Sequence, residues 1–385
     1  MSVKIIVGAD IVPTYRNFEL FQNADVNTLI GEDLKKLLDD VDLTAFNLET
    51  PLIDEKFPIQ KCGPNLLAPT KTINGIRAIN KHFFTLANNH IFDQGEKGLY
   101  STIELLKKNN IDFAGAGKNL AEAREPFIKE IDGIKIGIYC CAEHEFSIAK
   151  ENSPGANPFD PLESLDHISK LKEITDYTIV LYHGGKEHYR YPSPYLQKVC
   201  RKIVDKGADL VVCQHSHCIG CEEKWNGSTI VYGQGNFLFD DSESEFWKTG
   251  ILIETNLEKN NNIVSSSIRY YPICKLDERV RLAPKGEQEH IISDFKKRSN
   301  EILNYEKLKD RYRTFAKKNK YDYLNAFYGK KHIVFRILNK LSGYKLNEKI
   351  MKLRYGDKEK IIIKNFIECE AHRELVIESL NENEK

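Results

Sequence analysis

The first 275 residues alternate between short β-branched runs and longer segments with helical spacing. Five runs have the length and composition of buried strands: Val3–Val7, Asp42–Leu48, Phe83–Ala87, Thr178–Tyr182 and Asp209–Cys213. Between them, apolar residues recur at i, i+3 and i+4, as in Asp25–Leu38, Glu96–Lys108 and Ser193–Lys206. Because strands and helices alternate, we expect an α/β layered domain over roughly residues 1–275.

Two hairpins are predicted within this region. Glu130–Ile131 and Lys135–Cys140 flank the dipeptide Asp132-Gly133, which is typical of a tight β-turn. Gly250–Asn256 and Ile263–Pro272 are separated by a polar turn and are expected to pair at the end of the domain.

The pattern changes after Pro284. Three segments are charged, poor in Gly and Pro, and apolar at helical spacing: Ile291–Asn319, Tyr323–Leu341 and Asn347–Ile367. These properties predict amphipathic helices. We therefore expect two domains, a layered domain over residues 1–284 and a basic amphipathic helical extension over residues 285–385.

The charge of the chain is unevenly distributed. The formal net charge is zero, but residues 296–364 carry about +14. Aromatic residues interleave with the lysines there: Phe315, Tyr321, Tyr323, Phe327, Tyr328 and Phe335. One interpretation is a basic surface for nucleic acid, an anionic polymer or a membrane. We favour solvated helix faces whose aromatic residues pack inward, because no specific nucleic-acid motif is present.

Cysteine content and the start of the chain bear on the compartment. Nine cysteines, an odd number, fit reduced intracellular thiols better than a disulfide framework. The first residues lack the apolar run and cleavage pattern of a signal peptide. No segment approaches the ~20 apolar residues of a transmembrane helix. We therefore expect a cytoplasmic protein without a transmembrane segment.

Polar residues that bind metals or act as acids are concentrated at or near the ends of the predicted strands. They are Asp10, Asn47, Glu49, Asn89, His90, Asp93, His183, Glu187, His215, His217 and Asn236. In open α/β sheets, ligands bind at the carboxyl ends of the strands. Carboxylate, amide and imidazole together suit Mn²⁺, Fe or Zn²⁺. The sequence therefore predicts a divalent-metal site at this edge.

The residue types suggest how such a site would work. Two ions ~3.5–4 Å apart can hold the attacking and leaving oxygens of a phosphoester displacement. A bridging carboxylate is needed to hold two cations that close, and Glu49 is the natural candidate. Asn89 offers a neutral oxygen ligand. His90 follows it directly and would face the substrate as a general acid.

The sequence resembles the bacterial capsule-synthesis, CapA-like (poly-γ-glutamate biosynthesis) family, a branch of the calcineurin-like metallophosphoesterases. The likeness covers about residues 3–240, and its motifs occur in the family's order. They are Gly8-Ala9-Asp10, Asn47-Leu48-Glu49, Ala87-Asn88-Asn89-His90 with Asp93 and Gly95, His183-Gly184-Gly185-Lys186-Glu187, Gly207-Ala208-Asp209, His215-Ser216-His217, and Tyr232–Phe239 around Gly235-Asn236-Phe237. The resemblance implies a four-layer α/β/β/α sandwich with metals at the strand ends.

The resemblance also implies a division of the ligands between two metal ions. Asp10 and His217 would hold one ion, and Glu49 would lie between the two. The other ion would be held by Asn89, His183 and His215. His90 would donate a proton to the leaving group.

Two positions depart from the superfamily's pattern. Val12 stands where metallophosphatases have a histidine two residues after the first aspartate. Gln214 stands where a glycine usually precedes the His-x-His pair. Because of Val12, we expect one of the two metal sites to lack a ligand. Because of Gln214, we expect the approach to the pocket to be narrower.

Several site residues also have structural interpretations. His90 could orient Asn89 instead of acting as an acid. Glu187 is either a partner of a ligand histidine or a carboxylate at a helix N-terminus. Asp93 has the sequence context of a turn and capping residue, and Asn236 that of a turn residue.

A structural zinc site is an alternative for part of the second histidine motif. Cys218 and Cys221 have the spacing of a zinc-ligand pair. No second cysteine pair follows at the usual distance, so we favour apolar packing of these thiols beside the site.

The leading hypothesis is a divalent-metal-dependent hydrolase, acting on a phosphoester in the biosynthesis of a capsule or envelope polymer, poly-γ-glutamate or polysaccharide. Its partners would be an anionic polymer or phosphoester substrate and other capsule-synthesis proteins. The alternative is a non-catalytic, polymer- or partner-binding component of a capsule-synthesis assembly, which Val12 and the basic extension favour. Hydrolysis of an amide such as a γ-glutamyl bond is a third hypothesis.

Overall fold

The computed structural model describes residues 2–79, 82–239, 244–261, 263–327, 333–343 and 345–381. The strands of this part are β1 (Ser2–Ile11), β2 (Leu43–Leu48), β3 (Phe83–Thr85), β4 (Asp112–Ala114), β5 (Ala116–Gly117), β6 (Phe127–Ile131), β7 (Ile134–Ala142), β8 (Gly155–Ala156), β9 (Tyr177–His183), β10 (Leu210–Gln214), β11 (Glu222–Trp225), β12 (Ser228–Tyr232), β13 (Asn236–Leu238), β14 (Thr249–Asn260), β15 (Ile263–Leu276) and β16 (Arg279–Leu282). Each predicted strand run and each predicted hairpin has a counterpart among them.

The α-helices of the same residues fall into two sets. Those that accompany the strands are α1 (Phe18–Gln22), α2 (Val26–Ile30), α3 (Glu32–Asp39), α4 (Ile73–Ile79), α5 (Gly95–Lys108), α6 (Leu120–Ala123), α7 (Ser164–Glu173) and α8 (Pro194–Asp205). Those that follow the last strand are α9 (Lys285–Ile302), α10 (Tyr305–Phe327), α11 (Ile333–Leu341), α12 (Lys345–Arg354), α13 (Asp357–Glu368) and α14 (Glu370–Asn381). Short 3₁₀ helices cover Thr70–Thr72 and Glu245–Trp247.

The strands form two large sheets. The first runs in the order β16-β15-β14-β1-β2-β3-β4, with β13 paired to β1 as its eighth strand. The second has six strands in the order β11-β12-β10-β9-β7-β6. The centre of each sheet is parallel, and hairpins supply the antiparallel edges. The carboxyl ends of the central strands therefore lie at one edge of each sheet.

Successive side chains along each strand point to opposite faces of its sheet, so the two sheets contribute to three apolar layers, one between them and one on each outer face. In β1, Val3, Ile5 and Val7 pack between the two sheets, whereas Ile6 faces the opposite way. The outer face of the first sheet is covered by α1 to α5. The outer face of the second sheet is covered by α7 and α8. Because the central strands are buried on both faces, their sequences are apolar along most of their length. The predicted four-layer α/β/β/α sandwich is confirmed.

The helix predicted over Asp25–Leu38 is instead two helices, α2 and α3. Gly31 separates them with φ of 78°, a left-handed conformation that glycine adopts at little cost. The guanidinium of Arg281 donates to the carbonyl oxygens of Leu29 (3.2 Å) and Thr28 (3.0 Å) at the end of α2. A side chain at position 31 would collide with Arg281. Hydrophobic periodicity did not predict the break because the apolar spacing continues across Gly31, from Leu29 and Ile30 to Leu34 and Leu38.

The chain divides into two compact units, Met1–Leu308 and Lys309–Lys385. Helix α9 therefore belongs with the layered unit, whereas the sequence analysis assigned it to the extension from residue 285. Phe295 on α9 is fully buried between the sheets, its ring 5.0 Å from that of Tyr270. Arg298 on the same helix donates to the carbonyl oxygen of Gly220 at 2.7 Å. These contacts join α9 to residues that are distant from it in the sequence, and they attach it to the layered unit.

The second unit is helical, as expected. Its described core is small, with Leu324, Met351 and Tyr355 buried together. The prediction of inward-packed aromatics is only partly met, since Tyr321 packs against this core while Tyr323 and Phe327 are exposed. Tyr328 and the side chain of Phe335 lie outside the described residues. Within the described part of the chain, none of the helices combines the length and apolarity needed to cross a membrane.

The assignment of α9 to the layered unit predicts a large effect of Phe295→Ala. Removing a fully buried phenylalanine is expected to lower the free energy of unfolding by about 3–5 kcal/mol. Phe327→Ala, at an exposed position in the second unit, is the control and should change it by about 0.5 kcal/mol or less. Urea unfolding followed by tryptophan fluorescence reports on the first unit, which contains both tryptophans. Equal effects of the two variants would contradict the assignment.

Candidate metal centre

Strand register brings the polar strand ends together. In the first sheet, Asp10 of β1 lies beside Asn47 of β2 and Asn236 of β13. In the second sheet, His183 at the end of β9 lies beside Gln214 at the end of β10. The two sheets are stacked, so these ends and the loops after them converge. The side chains that follow the strands at this place are Glu49, Asn89, His90, His215 and His217.

Glu49 is shared by two groups of potential metal ligands. One ligand atom each from Glu49, His183 and His215 lie within 4.8 Å of one another. The same holds for Asp10, Glu49 and His217. All five side chains are buried. Each group could hold a metal ion, and Glu49 is the residue that belongs to both.

Asn89 lies beside the first group. Its Oδ1 is 3.0 Å from Nε2 of His183, and its Nδ2 donates to Glu145 at 3.2 Å. Nε2 of His183 is also 3.4 Å from Oε1 of Glu49. The amide oxygen therefore faces the same space as the imidazole and the carboxylate. Glu145 was missed by the sequence analysis because it lies in a loop without periodicity.

The two buried carboxylates lack partners for most of their oxygens. Oδ2 of Asp10 and both oxygens of Glu49 have no hydrogen bond among the described residues. Burial raises the pKa of Glu49 to about 7. Burial, followed by the nearby charge of Glu49, raises the pKa of Asp10 well above its usual value. Uncompensated buried charges cost several kcal/mol each. Divalent cations would neutralise both groups, so these residues fit a metal site.

Three histidines complete the site in their neutral form. Burial lowers the pKa of His183 and His215, and lowers that of His217 to about 3. Neutral imidazole is the form that binds metals. Nδ1 of His215 is buried and has no hydrogen-bond partner among the described residues. Nδ1 of His217 is 2.8 Å from Oδ1 of Asn236, an arrangement in which the ring donates and Nε2 keeps its lone pair.

The backbone at the His215-Ser216-His217 motif is unusual. His215 has φ of 85° and His217 has φ of 51°. Positive φ is uncommon for residues other than glycine, and such conformations concentrate at functional sites. The two strained residues are also members of the two ligand groups.

His90 is held by a carboxylate that also binds a lysine. Nδ1 of His90 is 2.6 Å from Oδ2 of Asp93, and Lys61 forms an ion pair with the same carboxylate. The backbone N–H of Leu66 also donates to Asp93, at 2.7 Å. Because a carboxylate only accepts, Nδ1 of His90 carries the hydrogen and Nε2 is left for the site. Asp93 therefore orients His90, whereas helix α5 begins after Gln94.

Lys61 was not among the sequence-predicted residues. Its side chain is 2% exposed and its Nζ is 3.3 Å from Nδ1 of His90. It lies in an irregular segment between β2 and α4, where sequence spacing carries no signal. Only the packing of this segment against residues 90–94, including the bond from the Phe57 N–H to Gln94 at 2.7 Å, brings it to the site.

Two asparagines fix the position of the ligands. Nδ2 of Asn47 donates to Oδ1 of Asp10 at 2.8 Å. Nδ2 of Asn88 donates to Oδ1 of Asn47 at 3.0 Å, and Oδ1 of Asn88 accepts from the N–H groups of His90 and Ile91. Asn47 is thus a support for Asp10. Asn88 was part of the recognised motif but was not predicted to have a role of its own.

The geometry bears on two sequence alternatives. Oε1 of Glu187 is 4.0 Å from Nε2 of His215, and α8 begins only at Pro194 after its cap Ser193. The helix-terminus interpretation of Glu187 is therefore wrong, and its carboxylate lies near His215 without a hydrogen bond to it. Cys218 and Cys221 are buried. Neither belongs to a group of His, Cys, Asp and Glu residues that could hold a metal in the described part of the chain.

Both departures from the superfamily pattern have structural roles. Val12 is buried in an apolar cluster with Phe239 and Trp247, and the Trp247 ring lies 4.6 Å from that of His217. His188 lies on the same side, where its Nε2 accepts from Nε1 of Trp247 at 2.9 Å and its ring is 6.2 Å from that of His217. Gln214 donates to the carbonyl oxygen of Gly8 at 3.1 Å, which ties the second sheet to the first beside the site.

The raised pKa of Glu49 predicts a pH-dependent stability of the metal-free protein. The folded state keeps a proton up to about pH 7, which the unfolded chain releases near its usual pKa of 4.5. Stability therefore falls as the pH rises from about 4.5 through 7. Glu49→Gln removes this effect and should stabilise the chelator-treated protein by about 3 kcal/mol at pH 8, with little change at pH 4.

Thermal unfolding in chelator at the two pH values checks this. Glu173→Gln, at an exposed position on α7, is the control and should have no effect at either pH. A Glu49→Gln variant that is less stable than the wild type at pH 8 would contradict the raised pKa.

Comparisons with known proteins agree with the motif resemblance. The family model described as "Bacterial capsule synthesis protein PGA_cap" matches residues 4–241. The capsule biosynthesis protein CapA of Bacillus anthracis is 29% identical over 232 residues, which cover 58% of this chain and 56% of that protein. The PGA biosynthesis protein CapA of Bacillus subtilis is 30% identical over 223 residues, covering 57% and 58%. The chain thus spans about half the length of these curated relatives.

Solved structures with a similar arrangement include a phosphatase of Mycoplasma pneumoniae, with 15% identity, a TM-score of 0.45 and coverage of 72% of this chain and 95% of that chain. A calcineurin-like phosphoesterase of Bacillus subtilis has 17% identity, a TM-score of 0.42 and coverage of 70% and 90%. The family match extends over more than half of the sequence and includes the proposed metal ligands. The chain belongs to the bacterial capsule synthesis protein family, PGA_cap.

Proposed function

We propose that this protein is a divalent-metal-dependent hydrolase that cleaves a phosphoester during biosynthesis of a capsule or envelope polymer. The observation that carries the proposal is the buried Glu49 carboxylate, with both oxygens unpaired and ligand groups on either side. The Bacillus anthracis relative is named for capsule biosynthesis, and the Bacillus subtilis relative for PGA biosynthesis.

The proposed metal ligands divide into two sets around Glu49. Asp10 and His217 would hold one divalent ion, of Mn, Fe or Zn. The other would be held by Asn89, His183 and His215. When bound, such ions polarise a phosphoryl group and lower the pKa of water. Asn47 and Asn236 hold Asp10 and His217 in place through the hydrogen bonds described above.

His90 is the proposed proton donor. Asp93 fixes its Nδ1, so Nε2 is the atom that would carry the transferred proton to the departing oxygen. Lys61 compensates the charge of Asp93, which is otherwise fully buried. His90 is 9% exposed, so its ring stays at the boundary between the protein interior and the substrate space.

A non-catalytic binding role is the second candidate. Val12 stands where the superfamily pattern has a histidine, and it packs with Phe239 and Trp247 beside His217. A site that holds only one ion would bind a polymer or a partner protein without the two-ion chemistry. Metal stoichiometry separates the two candidates.

Purified wild-type protein is expected to bind about two equivalents of Mn, Fe or Zn after reconstitution. Glu49→Ala removes the shared carboxylate and should lower the content below one equivalent. His215→Ala should leave about one. His290→Ala is the control, since His290 is exposed on α9, and should leave two. Elemental analysis by ICP-MS measures all four. One equivalent in the wild type would indicate a site that lacks a ligand, and none would contradict the hydrolase proposal and favour the binding role.

His90→Gln is expected to lower kcat for phosphomonoester hydrolysis by about 10²–10⁴-fold with unchanged metal content. A general acid matters more for a poor leaving group. The loss should therefore be larger with phenyl phosphate than with p-nitrophenyl phosphate. His290→Gln is the matched control.

Three outcomes would contradict parts of this assignment. Equal losses on both substrates with reduced metal content would show that His90 orients Asn89 instead of donating a proton. Hydrolysis of γ-glutamyl p-nitroanilide, without phosphoester hydrolysis, would show that the protein cleaves an amide bond and not a phosphoester. A fully metal-loaded protein inactive on all these substrates would contradict the hydrolase proposal.

A further inference from the structure

The imidazole ring of His217 is held by three neighbouring side chains. Its Nδ1 is 2.8 Å from Oδ1 of Asn236. The ring of Trp247 lies against it, with centroids 4.6 Å apart and planes tilted by 33°. Phe239 meets it edge-on, at 5.6 Å and 84°. Because the χ2 torsion of a histidine has broad minima, these neighbours decide the plane of its ring.

Trp247 is itself fixed in position. Its Nε1–H donates to Nε2 of His188 at 2.9 Å. The backbone N–H of His188 donates to the carbonyl oxygen of Ser216 at 2.8 Å, inside the His215-Ser216-His217 motif. The ring of Phe239 packs against the other neighbour of the motif, Trp247, at 4.6 Å and 67°. The buried indole therefore has its polar atom satisfied and forms a rigid wall beside His217.

The ion proposed beside His217 depends on few ligands. The group that could hold it consists of Asp10, Glu49 and His217, here called the Asp10 group. Val12 stands where the superfamily pattern has a further histidine, and it packs in one cluster with Trp247. With three protein ligands, misplacing one of them removes a large share of the coordination. The orientation of His217 therefore matters more than it would in a site with four.

We propose that Trp247 is a positioning residue of the Asp10 group: its ring fixes the plane of the His217 imidazole and thereby sets the affinity of the group for a divalent ion. The inference rests on the two-ion site of the proposed function. Trp247 supplies no ligand atom, because its indole N–H only donates. Residues that orient a ligating histidine typically change metal affinity by about 10–100-fold when they are removed.

Calorimetric titration of the chelator-treated, full-length protein with Mn²⁺ tests the proposal. In a His215→Ala background, the ion that remains is that of the Asp10 group, and Trp247→Leu should raise its Kd about 10–100-fold. In a His217→Ala background, the remaining ion is that of Glu49, His183 and His215, and the same change should leave its Kd unaltered. Trp247→Phe keeps an aromatic ring against His217 and should retain most of the affinity.

Trp225→Leu is the matched control. Trp225 lies on β11, where its ring packs against the guanidinium of Arg201 and its Nε1–H donates to Asp205. This variant should leave both Kd values unchanged. The chain has two tryptophans, so Trp225→Phe with His215→Ala leaves Trp247 as the only one. Its fluorescence should change in step with the binding of Mn²⁺.

Three outcomes would overturn the proposal and leave the proposed function intact. One is an unchanged Kd for Trp247→Leu in the His215→Ala background. The second is an equal loss of affinity in both backgrounds, which would indicate a general loss of structure. The third is constant Trp247 fluorescence while the ion binds. Absence of Mn²⁺ binding by the wild type would contradict the proposed function and this inference together.

Discussion

The buried carboxylate of Glu49 is the constraint on which the site depends. A fully buried carboxylate with two unpaired oxygens is unfavourable without a positive partner, and its raised pKa expresses that cost. Asp10 adds a second buried acid beside it. Neutral histidines on both sides supply lone pairs and no compensating charge. This combination fits a cation site, because a cation would compensate the buried carboxylates. Without a cation, the same residues would destabilise the fold.

The layered architecture is what makes this arrangement rigid. Asp10, Asn47 and Asn236 are held in adjacent strands of the first sheet, and His183 is fixed in the second. Gln214 crosses between the sheets to the backbone of Gly8. The amide of Asn88 joins the β2 end to the segment that carries His90. Ligands from different parts of the chain are thus fixed relative to one another before any ion binds.

The helical unit differs from the layered unit in how many of its apolar residues it buries. The layered unit buries its apolar residues on both sides of each sheet, whereas the described part of the helical unit buries few of them.

The sequence by itself determined the layered fold and most of the site. Buried parallel strands are apolar runs whose polar ends fall at one edge by topology, so the sequence could predict that Asp10, Glu49, Asn89 and the three histidines come together. That they bind a metal stays a prediction. Only the tertiary structure decided the roles of Lys61, Glu145 and Trp247, the break at Gly31 and the docking of α9. Each of these depends on a contact between segments far apart in the chain. Sequence periodicity reports which face of an element is apolar, but not which distant residue will cover it.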